Sequence, residues 1–142
     1  MKMETLERNT EAVFRDHLEL RLAGKVEEDV RRNYAEDIVL ISAHGIFHGH
    51  EGVLACAARL ANEIPHACFS YKRQVVVGEI AFLEWTAAGD GVTVEDGVDT
   101  FVIRGGRIVA KTVRYTVKPS AACAPAARRP EPSLPRARSR PA

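Results

Sequence analysis

Apolar residues in the first part of the chain recur at helical spacing. Leu6, Thr10, Val13, Phe14, His17, Leu18 and Leu22 fall on one stripe, which predicts a helix from about Thr5 to Ala23. Gly24 supplies the left-handed residue that closes such a helix. A shorter helix follows from Val26 to about Tyr34, with Val26, Val30 and Tyr34 inward and the pairs Glu27–Arg31 and Glu28–Arg32 outward. Ile38-Val39-Leu40-Ile41 is a continuous apolar run of strand length. A connection rich in Gly and His, from His44 to His50, leads to a third helix beginning near Gly52. That helix turns Val53, Ala57, Leu60, Ala61 and Ile64 to one side and ends at Pro65.

From Ala67 onward the period changes. Cys68–Val77, Ile80–Ala87, Val92–Arg104 and Arg107–Val117 are β-branched and aromatic runs separated by Gly-containing turns. Gly105-Gly106 between Arg104 and Arg107 is a two-residue hairpin signal, because both positions can take positive φ. Three helices followed by an antiparallel meander predict an α+β domain with the helices on one face of the sheet.

Composition adds a division of the chain. Its 142 residues suit one domain with a single core. Residues 1–118 carry 15 Lys/Arg against 18 Asp/Glu, whereas 119–142 carry five Arg, one Glu and six of the seven prolines. The body is therefore mildly acidic, which argues against nucleic-acid binding, since that needs a basic face. The stretch 119–142 offers almost nothing large and apolar to bury and reads as a disordered Pro/Arg/Ala-rich tail. Met1–Arg15 is charged and has no apolar run of the secretory kind, and nothing approaches the roughly 18 apolar residues of a membrane span. Cys56, Cys68 and Cys123 form no C-x-x-C pair, so a cytoplasmic setting with reduced thiols is expected.

The hairpin register predicts which side chains share a face. Pairing Arg104 with Arg107 and continuing without interruption puts Asp99, Phe101, Ile103, Ile108, Ala110, Thr112 and Arg114 together. The opposite face then reads Val98, Thr100, Val102, Val109, Lys111, Val113 and Tyr115. Asp99 and Arg114 at one end of an apolar face fit either polar groups in a pocket or a structural ion pair. Glu84 and Trp85 fall on opposite faces of their strand, and the register across Gly89-Asp90-Gly91 leaves open which is inward. His44, His48 and His50 have the wrong spacing for a helix and lie in a turn with two glycines, so no metal site and no cofactor is expected.

Asn33-Tyr34-Ala35-Glu36-Asp37, Phe47-His48-Gly49-His50-Glu51-Gly52-Val53 and Phe101-Val102-Ile103-Arg104-Gly105-Gly106-Arg107-Ile108 carry a further signal. Together with the element order, they make residues 5–117 resemble the nuclear transport factor 2-like superfamily and its SnoaL-like branch. The resemblance implies a strongly curved, mainly antiparallel sheet forming a cone-shaped α+β barrel, with a mostly apolar pocket beneath the helices, and a homodimer formed through the sheet. It implies no single activity, since this scaffold hosts isomerases, dehydratases, hydrolases, cyclases and non-catalytic modules. Against the superfamily's ketosteroid isomerases, the first-helix Tyr falls on His17, the catalytic base on Ser42 and the late-strand Asp on Asp99. Only the Asp is kept, and the acid that SnoaL-type cyclases carry in the last strand is missing from Lys111 to Val117. His17 facing Asp99 across a pocket would suit general acid–base catalysis, and His17 as a satisfied core residue is the competing reading. The expectation is a domain binding a small apolar organic molecule, either by acid–base catalysis through His17 and Asp99 or as a non-catalytic ligand-binding or dimerisation module. Phe14, Tyr34, Phe101, Thr112 and Arg114 would contact the ligand, the partner is a second copy of the chain, and neither nucleic acid nor membrane is bound.

Overall fold

Asn9 accepts from the Ala12 N–H at 2.8 Å and so caps α1 (Thr10–Leu22). The computed structural model describes residues 8–120, so the expected helical positions Thr5 and Leu6, and the tail beyond Ser120, lie outside the described residues. Val13, Phe14, His17 and Leu18 are buried as the stripe predicts, but Leu22 is exposed at the end of the helix. α2 (Val26–Asn33) is one residue shorter than expected. Tyr34 has extended backbone (φ −104°, ψ 138°) and opens β1 (Tyr34–Ser42), although its side chain is still fully buried.

β2 (Gly45–His48) was not predicted. Only Ile46, Phe47 and His48 lie between Gly45 and Gly49, too few to show an alternation, yet the segment pairs antiparallel with β1 in the register Ile41↔Ile46. α3 (Gly49–Glu63) follows, then β3 (Cys68–Val77), β4 (Ile80–Gly89), β5 (Val92–Arg104), β6 (Arg107–Arg114) and β7 (Lys118–Pro119). β7 pairs with β5, and the Ser120 N–H bonds to the Gly91 carbonyl, so the described fold runs two residues past the expected domain end at Lys118.

The strands form one curved, open sheet in the order β2-β1-β6-β5-β4-β3, with β7 off this path. Every pairing is antiparallel except β1 with β6. β2 and β3 are its edges, so the closure that the word barrel implies is absent. α1 packs on β3, β4 and β5, α2 on β1 and β6, and α3 on β1 and β2. Ile38, Leu40, Leu83, Phe101, Ile103 and Ile108 are buried between these helices and the sheet, each stabilising by roughly 1.5–3 kcal/mol.

One irregularity decides the chemistry of the inner face. Arg104 pairs with Arg107 and Ile103 with Ile108 as expected, but Val102 then pairs with Ala110, leaving Val109 unpaired. This β-bulge moves the rest of β6 by one residue, which turns every later side chain to the other face. Lys111, Val113 and Tyr115 therefore point inward, and Thr112 and Arg114 are exposed on the outer face. The expected assignments are reversed from Ala110 onward.

Candidate functional site

His17 lies one turn from Val13 on the buried stripe of α1 and is 2% exposed. Asp29 and Asn33, one turn apart on α2, are both fully buried against it. His17 Nδ1 is 2.8 Å from Asp29 Oδ2, and Arg21, one turn beyond His17, donates through Nε to the same oxygen at 2.7 Å. Asn33 Nδ2 donates to Asp29 Oδ1 at 2.8 Å and to Asp16 at 2.9 Å, while Asn33 Oδ1 accepts from Arg8 at 2.6 Å. A buried carboxylate is tolerable only when its oxygens are satisfied, and here they are.

These contacts fix protonation. Burial pushes the His17 pKa down to about 4, against the opposing pull of Asp29. Burial opposes ionisation of Asp29 as well, but the bonds from His17, Arg21 and Asn33 hold it at about 2. At neutral pH a carboxylate can only accept, so the proton of the neutral imidazole sits on Nδ1 and is donated to Asp29. Nε2 keeps its lone pair and has no hydrogen-bond partner among the described residues.

A second buried pair comes from the sheet. Asp99 Oδ1 accepts from the Trp85 indole N–H at 2.9 Å, and Lys111 Nζ lies 3.8 Å from its other oxygen. Trp85 can lie flat here because Gly97 is its cross-strand partner, and a Cβ on Gly97 would come within 2.3 Å of the ring. Lys111, 5% exposed, donates to the Tyr34 hydroxyl at 3.0 Å and stands over the Phe101 ring at 5.0 Å. Burial opposes its charge, but Tyr34 and Asp99 outweigh that and hold the lysine above its ordinary pKa.

His17, Arg21, Asp99 and Lys111 all line one cavity of about 570 Å³, whose walls are otherwise mostly apolar. Phe69, Trp85 and Tyr115 form a run of rings along one wall, with successive centroids 5.6 Å apart. The Tyr115 hydroxyl donates to Glu63, whose other oxygen is 3.2 Å from His44.

The structure thus places His17 and Asp99 on a common cavity but gives each its own partner, Asp29 for the first and Trp85 with Lys111 for the second. Phe14, Tyr34 and Phe101 are buried in the core behind these groups, with Phe101 5.1 Å from the His17 ring and Tyr34 5.8 Å from it. Thr112 and Arg114 are turned away from the cavity by the bulge, and no Asp99–Arg114 pair forms. Trp85 is the inward member of its dipeptide and Glu84 the outward one. His44 and His50 have separate partners, Glu63 and the Tyr34 carbonyl. Among the described residues no group of three or more His, Cys, Asp or Glu is arranged to hold a metal ion.

Sequence reasoning missed Asp29, Arg21 and Lys111. The first was findable, since Val26, Asp29, Val30 and Asn33 share helical spacing and put a carboxylate on an apolar stripe.

Several solved structures share the fold. An NTF2-like protein of unknown function from Mesorhizobium loti is 19% identical, with a TM-score of 0.63 over 75% of this chain and 90% of that one. A provisionally named SnoaL-like polyketide cyclase from the same organism is 20% identical, with a TM-score of 0.61 over 75% of this chain and 98% of its own. IdmH, a provisionally named polyketide cyclase from Streptomyces antibioticus, is 16% identical, with a TM-score of 0.60 over 76% and 92%. No curated protein matches the sequence. Residues 14–111 match the family described as the SnoaL-like domain, and the chain belongs to that family.

Proposed function

We propose that the domain binds a small, largely apolar organic molecule in this cavity and catalyses proton transfer on it, with His17 as general base. The observation that carries the reading is the neutral, buried imidazole whose Nδ1–H is fixed on Asp29 and whose Nε2 is unpartnered on a cavity. Nε2 takes a proton as the substrate C–H bond breaks, and the electron pair moves onto an adjacent carbonyl oxygen. Asp29 stabilises the imidazolium that forms, and the positive charge of Lys111 stabilises the negative charge developing on oxygen. Isomerisation, cyclisation and dehydration all begin with such a step. The names of the polyketide cyclase neighbours fit this class of chemistry without assigning a substrate.

The test is loss of α-hydrogen from apolar aryl ketones such as phenylacetone in D2O, followed by NMR. Exchange is expected with the protein and should slow by at least about a hundredfold in His17→Asn. Ketones that bind without faster exchange would give preference to the non-catalytic binding module. The mutual pairing of the four buried charges, Asp29 with Arg21 and Asp99 with Lys111, is what favours that alternative.

We infer also that two copies associate through the outer face of the sheet. Ile41, Ile46, Val77 and Ile80 are all large apolar side chains about half or more exposed there. Val98 and Val102 extend the same face, whereas Val113 and Tyr115, expected there from the sequence, line the cavity instead. No described helix is long and apolar enough to cross a membrane. The free thiols of Cys56 and Cys68 fit a reducing, cytoplasmic setting.

A further inference from the structure

Arg21 sits in the last turn of α1, and its side chain is 16% exposed. Its Nε is anchored on Asp29 at 2.7 Å, which fixes the orientation of the planar guanidinium. The two Nη nitrogens at the end of the fork have no acceptor among the described residues, and Arg21 lines the cavity. Tyr71, on β3, lines the same cavity, and its hydroxyl also has no partner among the described residues. Burial pushes the Tyr71 pKa up to about 12, so at neutral pH the phenol keeps its proton and remains a donor. Each of the two groups contributes to the electrostatic surroundings of the other.

The unpartnered groups at this end of the cavity are mainly donors. They are the Arg21 fork, the Tyr71 O–H, and the N–H groups of Lys111 beyond its bond to Tyr34. Against them, among the described residues, stands His17 Nε2, since the far oxygen of Asp99 already faces Lys111. A partly buried donor without an acceptor is costly, so a ligand that brings acceptor oxygens to this end binds at an advantage. Two parallel N–H groups in one plane match a carboxylate. A phosphate dianion would need more positive charge than is free here, because Arg21 already faces Asp29 and Lys111 faces Asp99.

We propose that Arg21 and Tyr71 form an anion subsite, and that the ligand is an apolar carboxylic acid with its carboxylate in the Arg21 fork and its tail along Phe69, Leu83 and Trp85. This rests on the reading of the cavity as a small-molecule site and names the class of molecule it takes. The acid group is held at the C-terminal end of α1, and the apolar body occupies the rest of the cavity beside His17.

The probes are 4-phenylbutyrate and its neutral analogue 4-phenylbutyramide, titrated into the whole protein with the fluorescence of Trp85, the sole tryptophan, and calorimetry as readouts. The carboxylate should bind at least about tenfold more tightly than the amide, the scale of a charge-assisted bidentate contact. Arg21→Lys keeps the charge but loses the fork, and should remove most of that preference. Tyr71→Phe leaves Asp29 untouched and should reduce the preference a fewfold while the amide affinity stays constant. Equal affinity for acid and amide would overturn the subsite, as would a preference unchanged in both variants. Failure of the carboxylate to bind at millimolar concentration would also overturn it, and the ketone exchange test would then still decide the role of His17 independently.

Discussion

His17 is held neutral by its surroundings, and that has a measurable cost in acid. The unfolded chain titrates this imidazole near 6.5, whereas the folded protein holds it neutral down to about 4. Between those values the unfolded state binds more protons, so the stabilisation is complete above about pH 6.5 and is lost as pH falls toward 4. Asp29 acts in the same direction lower down, its contribution being lost as pH falls from 3.8 toward about 2. His66, exposed and paired with Asp90, works in the opposite sense, because its pKa is raised. The difference in melting temperature between wild type and His17→Asn isolates the first effect. Wild type should lose stability relative to the variant between pH 6.5 and 4, and parallel curves would mean that the imidazole is not desolvated. Asp29→Asn leaves the Arg21 guanidinium facing an amide in a buried site and should destabilise by about 3 kcal/mol in chemical denaturation.

At the scale of elements, the close approach of β4 and β5 under Trp85 and the bulge in β6 set the inner face. Gly97→Ala would drive a methyl group into the indole, and should cost about 1–3 kcal/mol and shift the Trp85 emission as its bond to Asp99 breaks. Deleting Val109 would remove the bulge and leave Val102 paired with Ala110 and Phe101 with Lys111, so Lys111 should stay inward and Thr112 and Arg114 outward. The Trp85 emission should then stay close to that of the wild type, and a large shift would show that β6 has slipped and taken Lys111 away from Asp99. The helices and the strand runs were legible because they are long enough to display a period. The face assignment of β6 was not, because a bulge is one unpaired residue in a run, Ile108-Val109-Ala110, with no glycine or polar residue to mark it. Likewise Asp99 was recognisable as an inward polar group, but its partners Trp85 and Lys111 depend on registers across two turns, the second of them followed by the bulge in β6. His17 was identified through its stripe, while Asp29 was passed over within the acidic run Glu27-Glu28-Asp29, although its helical spacing with Val26, Val30 and Asn33 marks it as the inward member.

For the whole molecule, the proposed association through the outer face of the sheet has a direct test. Sedimentation at micromolar concentration should show a dimer, and Ile41→Glu should shift it to monomer while leaving the circular dichroism unchanged, since Ile41 is already about half exposed. A wild-type monomer under the same conditions would exclude the sheet-face dimer. The sheet order has another consequence. β6 is the last long strand among the described residues, yet it lies between β1 and β5 and pairs with β1 in parallel. As the chain leaves the ribosome, α1 and α2 can meet early and bring His17 to Asp29 through short-range contacts. β1 meanwhile has only β2 beside it, with its other edge bare until Arg107–Arg114 has been made. The His17–Asp29 pair is therefore expected before Lys111, which comes with the strand that joins the two halves, and an incomplete chain can hold that pair without a finished cavity around it.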